Sequence, residues 1–366
     1  MNPASDLAAI GWASPVPPAW LETLAAHPQA RPARIVEQHR SGYRVAERAD
    51  EARDAESLPA WQRAGSYRRG EEAPEDRPAV GDWVLVEGDA ALRIVALLPR
   101  YSAIKRGAAG EHYRQQLIAA NIDTVFVVCG LDGDFNPRRI ERYLVLVAGS
   151  GAQAVVVLTK ADRDGADLPA ALQALAGIDA PVLAVNAKDP DSVAQLAPWL
   201  QPGRTAVLVG SSGAGKSTLT NTLLGDARMK TASVRTGDDR GRHTTTHRAL
   251  LALPGGACLI DTPGMRELKP TGEEAAAVAD TFADIDAIAE GCRFRDCRHD
   301  REPGCALRVA VEAGQVDAGR VANWRKLGAE VAGAADALAT RLADKAQARP
   351  PGKPPGRRPD PRHERR

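Results

Sequence analysis

The apolar run TAVLVG, residues 205 to 210, leads through GSSGAGKST (210 to 218) into the helix-like stretch STLTNTLLG. Gly210, Gly215, Lys216 and Ser217 hold the defining places of the pattern G-x-x-x-x-G-K-[ST]. A strand, a glycine-rich loop and a helix in this order make a phosphate cradle. Backbone N–H groups of Ser211, Ser212, Gly213, Ala214 and Gly215, with the helix start through Thr218, surround the phosphates. Lys216 reaches the β and γ oxygens and Ser217 ligates Mg²⁺. This loop constrains the fold strongly, because it needs a buried parallel strand behind it. It usually opens its domain, yet here it lies past the midpoint of 366 residues.

The sequence on either side supplies the missing parts. From residue 122, buried runs alternate with helical ones: IDTVFVV, a helix after Asn136-Pro137, AVVVLTK, a helix from about Leu168, PVLAVN and TAVLVG. That alternation predicts βαβ units on a parallel sheet. Asn136 suits an N-cap, Pro137 the first helical position and Gly149 a stop. After the strand ACLI comes DTPG (261 to 264), matching D-x-x-G, in which Asp261 supports Mg²⁺ and the Gly264 N–H meets the γ-phosphate. Between the two motifs lies GRHTTTH (241 to 247), suited to a switch loop in which one of Thr244, Thr245 and Thr246 ligates Mg²⁺.

Guanine presents N1–H and an amino group side by side, so a carboxylate accepting from both discriminates against adenine. TKAD (159 to 162) offers Asp162 after Thr159, Lys160 and Ala161. VNAK (185 to 188) offers Asn186 and Ala187 as a second base loop. Both precede the phosphate loop, whereas GTPases ordinarily place them after D-x-x-G. The set is complete in space if the chain was circularly permuted, with old termini joined and a new break made ahead of IDTVFVV.

Residues 31 to 106 contain short alternating runs (ARIVEQ, GYRVAE, DWVLVEG, ALRIVALLP), which predict a small β-barrel carrying a long polar loop at 57 to 78. Beyond Gly264 helical spacing takes over, broken by CRFRDCRHDREPGC. There C-x₄-C-x-H-x₅-C places three thiolates and one imidazole, Cys292, Cys297, His299 and Cys305. This is a closed tetrahedral set for one structural Zn²⁺. Arg293, Arg295, Arg298 and Arg301 lie between the ligands, where they can face RNA or simply solvent.

These motifs resemble the circularly permuted GTPases called ribosome small subunit-dependent GTPase A, along most of the chain: AANIDTVFVV, DFNPRRIERYL, TKAD, GSSGAGKST, GRHTTTH, DTPGMREL and the cysteine cluster. The resemblance implies a multidomain α/β protein. It would comprise an N-terminal OB-fold barrel, a permuted P-loop GTPase domain and a mainly helical zinc-binding domain. It also implies GTP hydrolysis to GDP in late maturation of the small ribosomal subunit, with that subunit and its rRNA as partners and turnover stimulated by the ribosome. The chain departs from the family pattern at Thr159, where Asn is commoner, and in the length of the 57 to 78 loop. Met265 stands where many GTPases place a water-orienting Gln, so intrinsic turnover should be slow. His243 resembles the family's proposed water-orienting histidine.

The expected division is an extension at 1 to 30, the OB-fold at 31 to 106, the GTPase domain at 107 to 270, the zinc-binding domain at 271 to 348 and a disordered tail at 349 to 366. That tail holds seven Lys/Arg against two Asp/Glu. The barrel, with 14 Lys/Arg and 13 Asp/Glu, has no basic excess of its own, so its charge does not argue for RNA. No run reaches the ~18 apolar residues of a membrane span and the start lacks a signal-peptide pattern, so the expectation is a cytoplasmic monomer without membrane association. Two other classes remain open. A P-loop kinase or ATPase would not need Asp162, and an RNA-binding module could hold its nucleotide structurally, without turnover.

Overall fold

The computed structural model describes residues 3–12, 15–39, 42–49, 51–57, 77–107, 115–225, 248–261 and 269–347. Strands β1 (Arg31–Gln38), β2 (Tyr43–Arg48), β3 (Glu51–Glu56), β4 (Trp83–Glu87) and β5 (Leu92–Leu97) run in the order β1-β2-β3-β5-β4, and β4 returns to pair with β1. The five strands therefore close into the barrel expected from the alternating runs. Inward side chains, among them Ile35, Val45, Val84, Val86 and Ile94, form its core.

Ahead of the barrel the described residues form helices α1 (Pro3–Ala8) and α2 (Pro18–Ala26), and the segment around them packs against it. Trp12 meets Trp83 edge-on with ring centroids 4.7 Å apart, and Trp20 donates from Nε1 to the Pro99 carbonyl at 2.7 Å. At the junction of barrel and sheet, Arg34 is fully buried. Its guanidinium donates to the carbonyls of Ile10, Gly81 and Asn121, which belong to three separate segments.

After a hairpin of β6 (Ala103–Gly107) and β7 (Gln115–Ala120), the chain enters the central sheet. Its strands are β8 (Thr124–Gly130), β9 (Gln153–Thr159), β10 (Val182–Val185), β11 (Thr205–Val209), β12 (Ala249–Ala252) and β13 (Cys258–Asp261), in the order β10-β9-β8-β11-β13-β12. Pairings from β10 through β13 are parallel, and β12 is antiparallel to β13. The outer side of β12 joins β1 at Glu37 and Ala249, so the barrel and the sheet share one ladder. Every residue of β8 is buried, as expected of a strand covered on both faces.

The helices follow the local signals. Asn136 caps α3 (Pro137–Ala148), its side chain accepting from the N–H groups of Arg138 and Arg139. Helices α4 (Leu168–Ala174), α5 (Pro190–Val193) and α6 (Lys216–Leu224) complete the layer arrangement. The C-terminal unit holds α7 (Ala275–Thr281), α8 (Ala283–Ala289), α9 (Ala306–Glu312) and the 30-residue α10 (Ala318–Gln347). Its core of Phe282, Ile285, Leu307, Leu327 and Val331 also takes in Val145 from α3. Buried Glu141 of α3 strengthens this junction, accepting from Asn323 Nδ2 at 2.7 Å and facing Arg320 Nε at 3.2 Å. Burial pushes the Glu141 pKa up, against the pull of Asn323, Arg138 and Arg320.

Candidate functional site

In a parallel sheet the carboxyl ends of the strands lie along one edge, where loops meet ligands. Here β10, β9, β8, β11 and β13 stand side by side, so VNAK, TKAD, the loop after β8, the phosphate loop and Asp261 share that edge.

The phosphate loop leaves β11 at Gly210, whose φ of 144° and proximity to β8 both require glycine. A Cβ there would lie 2.1 Å from the Val128 carbonyl oxygen. Gly215, at φ 98°, precedes α6 and supplies no side-chain cap. By contrast, Asn136, Asp167 and Asp189 cap α3, α4 and α5. The first N–H groups of α6 are thus left for a ligand anion. Lys216 crosses the loop, its ammonium donating to the carbonyls of Gly210 at 2.8 Å and Ser211 at 2.6 Å. Ser217 stands one residue further along α6, half-buried, and Asp261 ends the adjacent strand β13.

The TKAD and VNAK loops are tied to the phosphate loop. Thr159 is fully buried, and its hydroxyl donates to the Ala214 carbonyl at 2.6 Å, so the departure from Asn still leaves a hydrogen bond between TKAD and the phosphate loop. Lys160 takes the left-handed conformation at φ 61° and pairs with Asp132. Ala161 is half-buried and Asp162 is exposed, open to a ligand on this edge. Asn186 accepts from the Lys188 N–H at 3.0 Å, and the Ala187 carbonyl accepts from Thr222 Oγ1 of α6 at 2.7 Å. His243, Thr244, Thr245, Thr246 and Gly264 lie outside the described residues, as do most of the 57 to 78 loop and the tail.

Replacing Thr159 with Val keeps the shape but leaves the Ala214 carbonyl without this donor. The expected result is nucleotide binding weakened about five- to tenfold, in line with roughly 1 kcal/mol for one such bond. Unchanged affinity by titration calorimetry would remove Thr159 from the site.

Asp132 and Asp134, on the loop CGLDGDFN after β8, received no site role from the sequence, although Asp134 opens the family-like run DFNPRRIERYL. Asp134 accepts from the Ser211 hydroxyl in the phosphate loop and from Arg139 Nη1, the latter at 2.8 Å. Partial burial pushes both carboxyls up. The Lys160 bond and charge outweigh this for Asp132, and the Ser211 and Arg139 bonds outweigh it for Asp134, so each ends below its ordinary pKa. The available signal was two carboxylates in a turn following a buried strand.

In the C-terminal unit, ligand atoms of Cys292, Cys297, His299 and Cys305 all lie within 4.8 Å of one another. His299 Nδ1 stands 3.5 Å from Cys292 Sγ and 3.7 Å from Cys305 Sγ. A tetrahedral Zn²⁺ with ordinary Zn–S and Zn–N bonds has S···N edges of about 3.6 Å, so the donor set fits this metal. Burial and the Cys292 and Cys305 sulfurs push the Cys297 thiol up to about 11, whereas against burial the Ala306 and Leu307 N–H groups bring Cys292 down; three thiolates this close repel one another, and a cation among them would relieve that repulsion. Glu302 holds the chelate loop, accepting from the N–H groups of Arg298, Asp300 and Arg301. Its own backbone N–H first, and then those of Asp300, Arg298 and Arg301, bring its carboxyl down to about 2 against desolvation. Arg293, Arg295, Arg298 and Arg301 are all exposed, and Arg298 lines a groove with Trp324, Arg325 and Lys326.

The fold and the site together define a P-loop nucleotide-binding domain with its segments in permuted order, flanked by a β-barrel and a Cys₃His metal-binding unit. The family model described as RsgA GTPase matches residues 97–271. A curated relative from Xanthomonas euvesicatoria pv. vesicatoria, "Small ribosomal subunit biogenesis GTPase RsgA", is 65% identical over 342 residues, 92% of each chain. One of the same name from Xanthomonas campestris pv. campestris is 64% identical with the same coverage. Two solved structures share the fold. YjeQ from Thermotoga maritima has a TM-score of 0.55 at 24% identity, covering 82% of this chain and 98% of its own. YloQ, described as a circularly permuted GTPase, has a TM-score of 0.53 at 23% identity, covering 83% and 96%. The chain belongs to the RsgA GTPase family.

Proposed function

We propose that this chain binds GTP along the carboxyl edge of its central sheet and hydrolyses it to GDP and phosphate in the biogenesis of the small ribosomal subunit. The observation that carries the reading is that phosphate-loop, Asp261, TKAD and VNAK strand ends lie on one edge although the chain visits them in permuted order. The activity accords with membership of the RsgA GTPase family and with the function for which relatives 65% identical to this chain are named.

In this reading, N–H groups from Ser211 to Ser217 and the Lys216 ammonium neutralise the phosphates and the charge that grows on them during transfer. Ser217, Asp261 and one of Thr244, Thr245 and Thr246 hold the Mg²⁺ that accompanies GTP. Asp162 accepts from the guanine edge, and Asn186 and Ala187 border the base. The thioether of Met265 neither positions nor activates water, so His243 is assigned that task once the small subunit is bound. Zinc, bound by Cys292, Cys297, His299 and Cys305, cross-links the C-terminal unit and takes no part in the chemistry. The chain acts as a cytoplasmic monomer in late maturation. Among the described residues no helix is long and apolar enough to cross a membrane.

The test is steady-state hydrolysis of GTP and ATP, with and without small ribosomal subunits. Slow GTP turnover that rises strongly with the subunit is expected. A preference for ATP, or no stimulation, would overturn the reading. For His243→Ala, GTP affinity should stay within about twofold while stimulated turnover falls about 10²-fold or more, the usual scale of a lost general base. Full stimulation of that variant would exclude His243.

A further inference from the structure

The loop between β8 and α3 touches both halves of the proposed nucleotide site. Asp132 Oδ2 accepts from the Lys160 ammonium, and Asp132 Oδ1 accepts from the Asp134 N–H at 3.1 Å. Asp134 in turn accepts from Ser211 Oγ and from Arg139 Nη1. An unbroken run of bonds thus leads from TKAD through the Asp132–Asp134 turn to the first residues of the phosphate loop.

The surroundings hold this run in place. Lys160 adopts a left-handed backbone that a residue with a Cβ takes only at a cost, so its side chain leaves the strand end in a direction that the usual conformations do not give. The Lys160 stem then passes over Gly130, where a Cβ would sit 3.2 Å from its Cδ and Nζ. The Leu131 N–H donates to the Thr159 carbonyl at 2.8 Å, fixing the loop start against the β9 end. Side-chain exposure at the pair is 15% for Lys160 and 28% for Asp132, so the ion pair is partly shielded from water. Neither carboxylate lies in a recognised nucleotide motif.

We infer that Asp132 and Asp134 are positioning residues of the nucleotide site: Asp132 sets Lys160 beside the base-reading Asp162, and Asp134 anchors the phosphate loop through Ser211, so that base and phosphate subsites keep one spacing. The inference rests on the nucleotide site proposed above. It predicts a loss of ground-state binding, felt equally by GTP and GDP, because the turn touches the binding loops and no reacting atom.

The experiment is a double-variant cycle on the full chain, reading GTP and GDP affinity together with KM and kcat. Asp132→Asn should weaken both nucleotides about five- to twentyfold and raise KM to match, with kcat within about twofold, a size suited to a charged hydrogen bond that is partly exposed. Lys160→Met should weaken them at least as much, and the double variant should be no worse than Lys160→Met alone. Asp132→Glu, which keeps the charge, should recover part of the loss. Asp134→Ala should act in the same direction, and Asp134→Asn, still an acceptor for Ser211, should act less.

Additive losses in the Asp132/Lys160 cycle, a fall in kcat without a change in KM, or full affinity in Asp132→Asn would each overturn the inference. Asp162→Asn separates this from failure of the site itself. If it abolishes the preference for GTP over ATP while Asp132→Asn binds normally, only the positioning role falls. If it leaves that preference intact, the base-site reading falls and takes the positioning role with it.

Discussion

Lys216→Ala should reduce kcat/KM for GTP by about 10²- to 10³-fold, the scale seen when one preorganised cationic or hydrogen-bonding contact to a developing anion is removed. The ammonium now spans the loop mouth between the Gly210 and Ser211 carbonyls, so the substitution takes away the charge for the phosphates and also two contacts that shape the loop. Affinity and turnover should therefore fall together. Zinc content should not change, because the cluster belongs to a separate core around Phe282 and Leu327. Hydrolysis at the parent rate in Lys216→Ala would mean that nucleotide binds elsewhere.

The second large effect is expected from the metal. Chelation, or Cys297→Ser, should unfold the segment between α8 and α9 and release α10 from its seat on α7 and α3. Structural zinc supplies roughly 10–16 kcal/mol of apparent folding free energy, against the roughly 5–15 kcal/mol by which an ordinary domain is stable. The apolar part of this core reaches the chelate loop directly, since Cys305 is buried beside Leu307 and the Ala306 N–H donates to Cys292 Sγ at 3.3 Å. Calorimetry should show loss of one transition, with the sheet transition surviving on its own clusters. A stripped protein with both transitions unmoved would refute a structural metal.

Acid should act through the ligands first. Glu302 has a folded pKa of about 2, below the ordinary value near 4.3, so its contribution is full above that ordinary value and fades only as pH falls toward 2. Metal binding needs deprotonated ligands, so acid competes for the cluster directly, apart from any loss of the Glu302 contacts.

The parts legible in the sequence were those whose chemistry is local. GSSGAGKST announces its cradle within nine residues, Asn136 caps the helix that it precedes, and the four metal ligands fall within one short segment. Permutation was legible too, because TKAD and VNAK keep their identity wherever the chain places them. Positions whose meaning depends on distant partners were not. Asp134 becomes part of the site through Ser211, 77 residues away, and Asp132 through Lys160, 28 residues away. Arg34 sits in an alternating run that suggests an outward charge. It is buried because β1 pairs with β12 as well as with β2 and β4, and the N-terminal segment closes over it. The first thirty residues had no periodicity to reveal that Trp12 and Trp20 would complete the barrel with Trp83.

The strand order also sets a timetable for synthesis. β8, buried along its whole length, gains β9 soon after it is made, but its other neighbour is β11. At ~5–20 residues per second, the ribosome needs roughly 4–15 s for the about 75 residues between the end of β8 and the start of β11. Throughout that interval the nascent chain carries an apolar strand with one row of backbone donors and acceptors unpaired, the kind of edge that recruits other chains. Arrival of the phosphate-loop strand pairs the open side of β8 and passes the unpaired edge on to β11, which carries it until β13 brings Asp261 to the same edge.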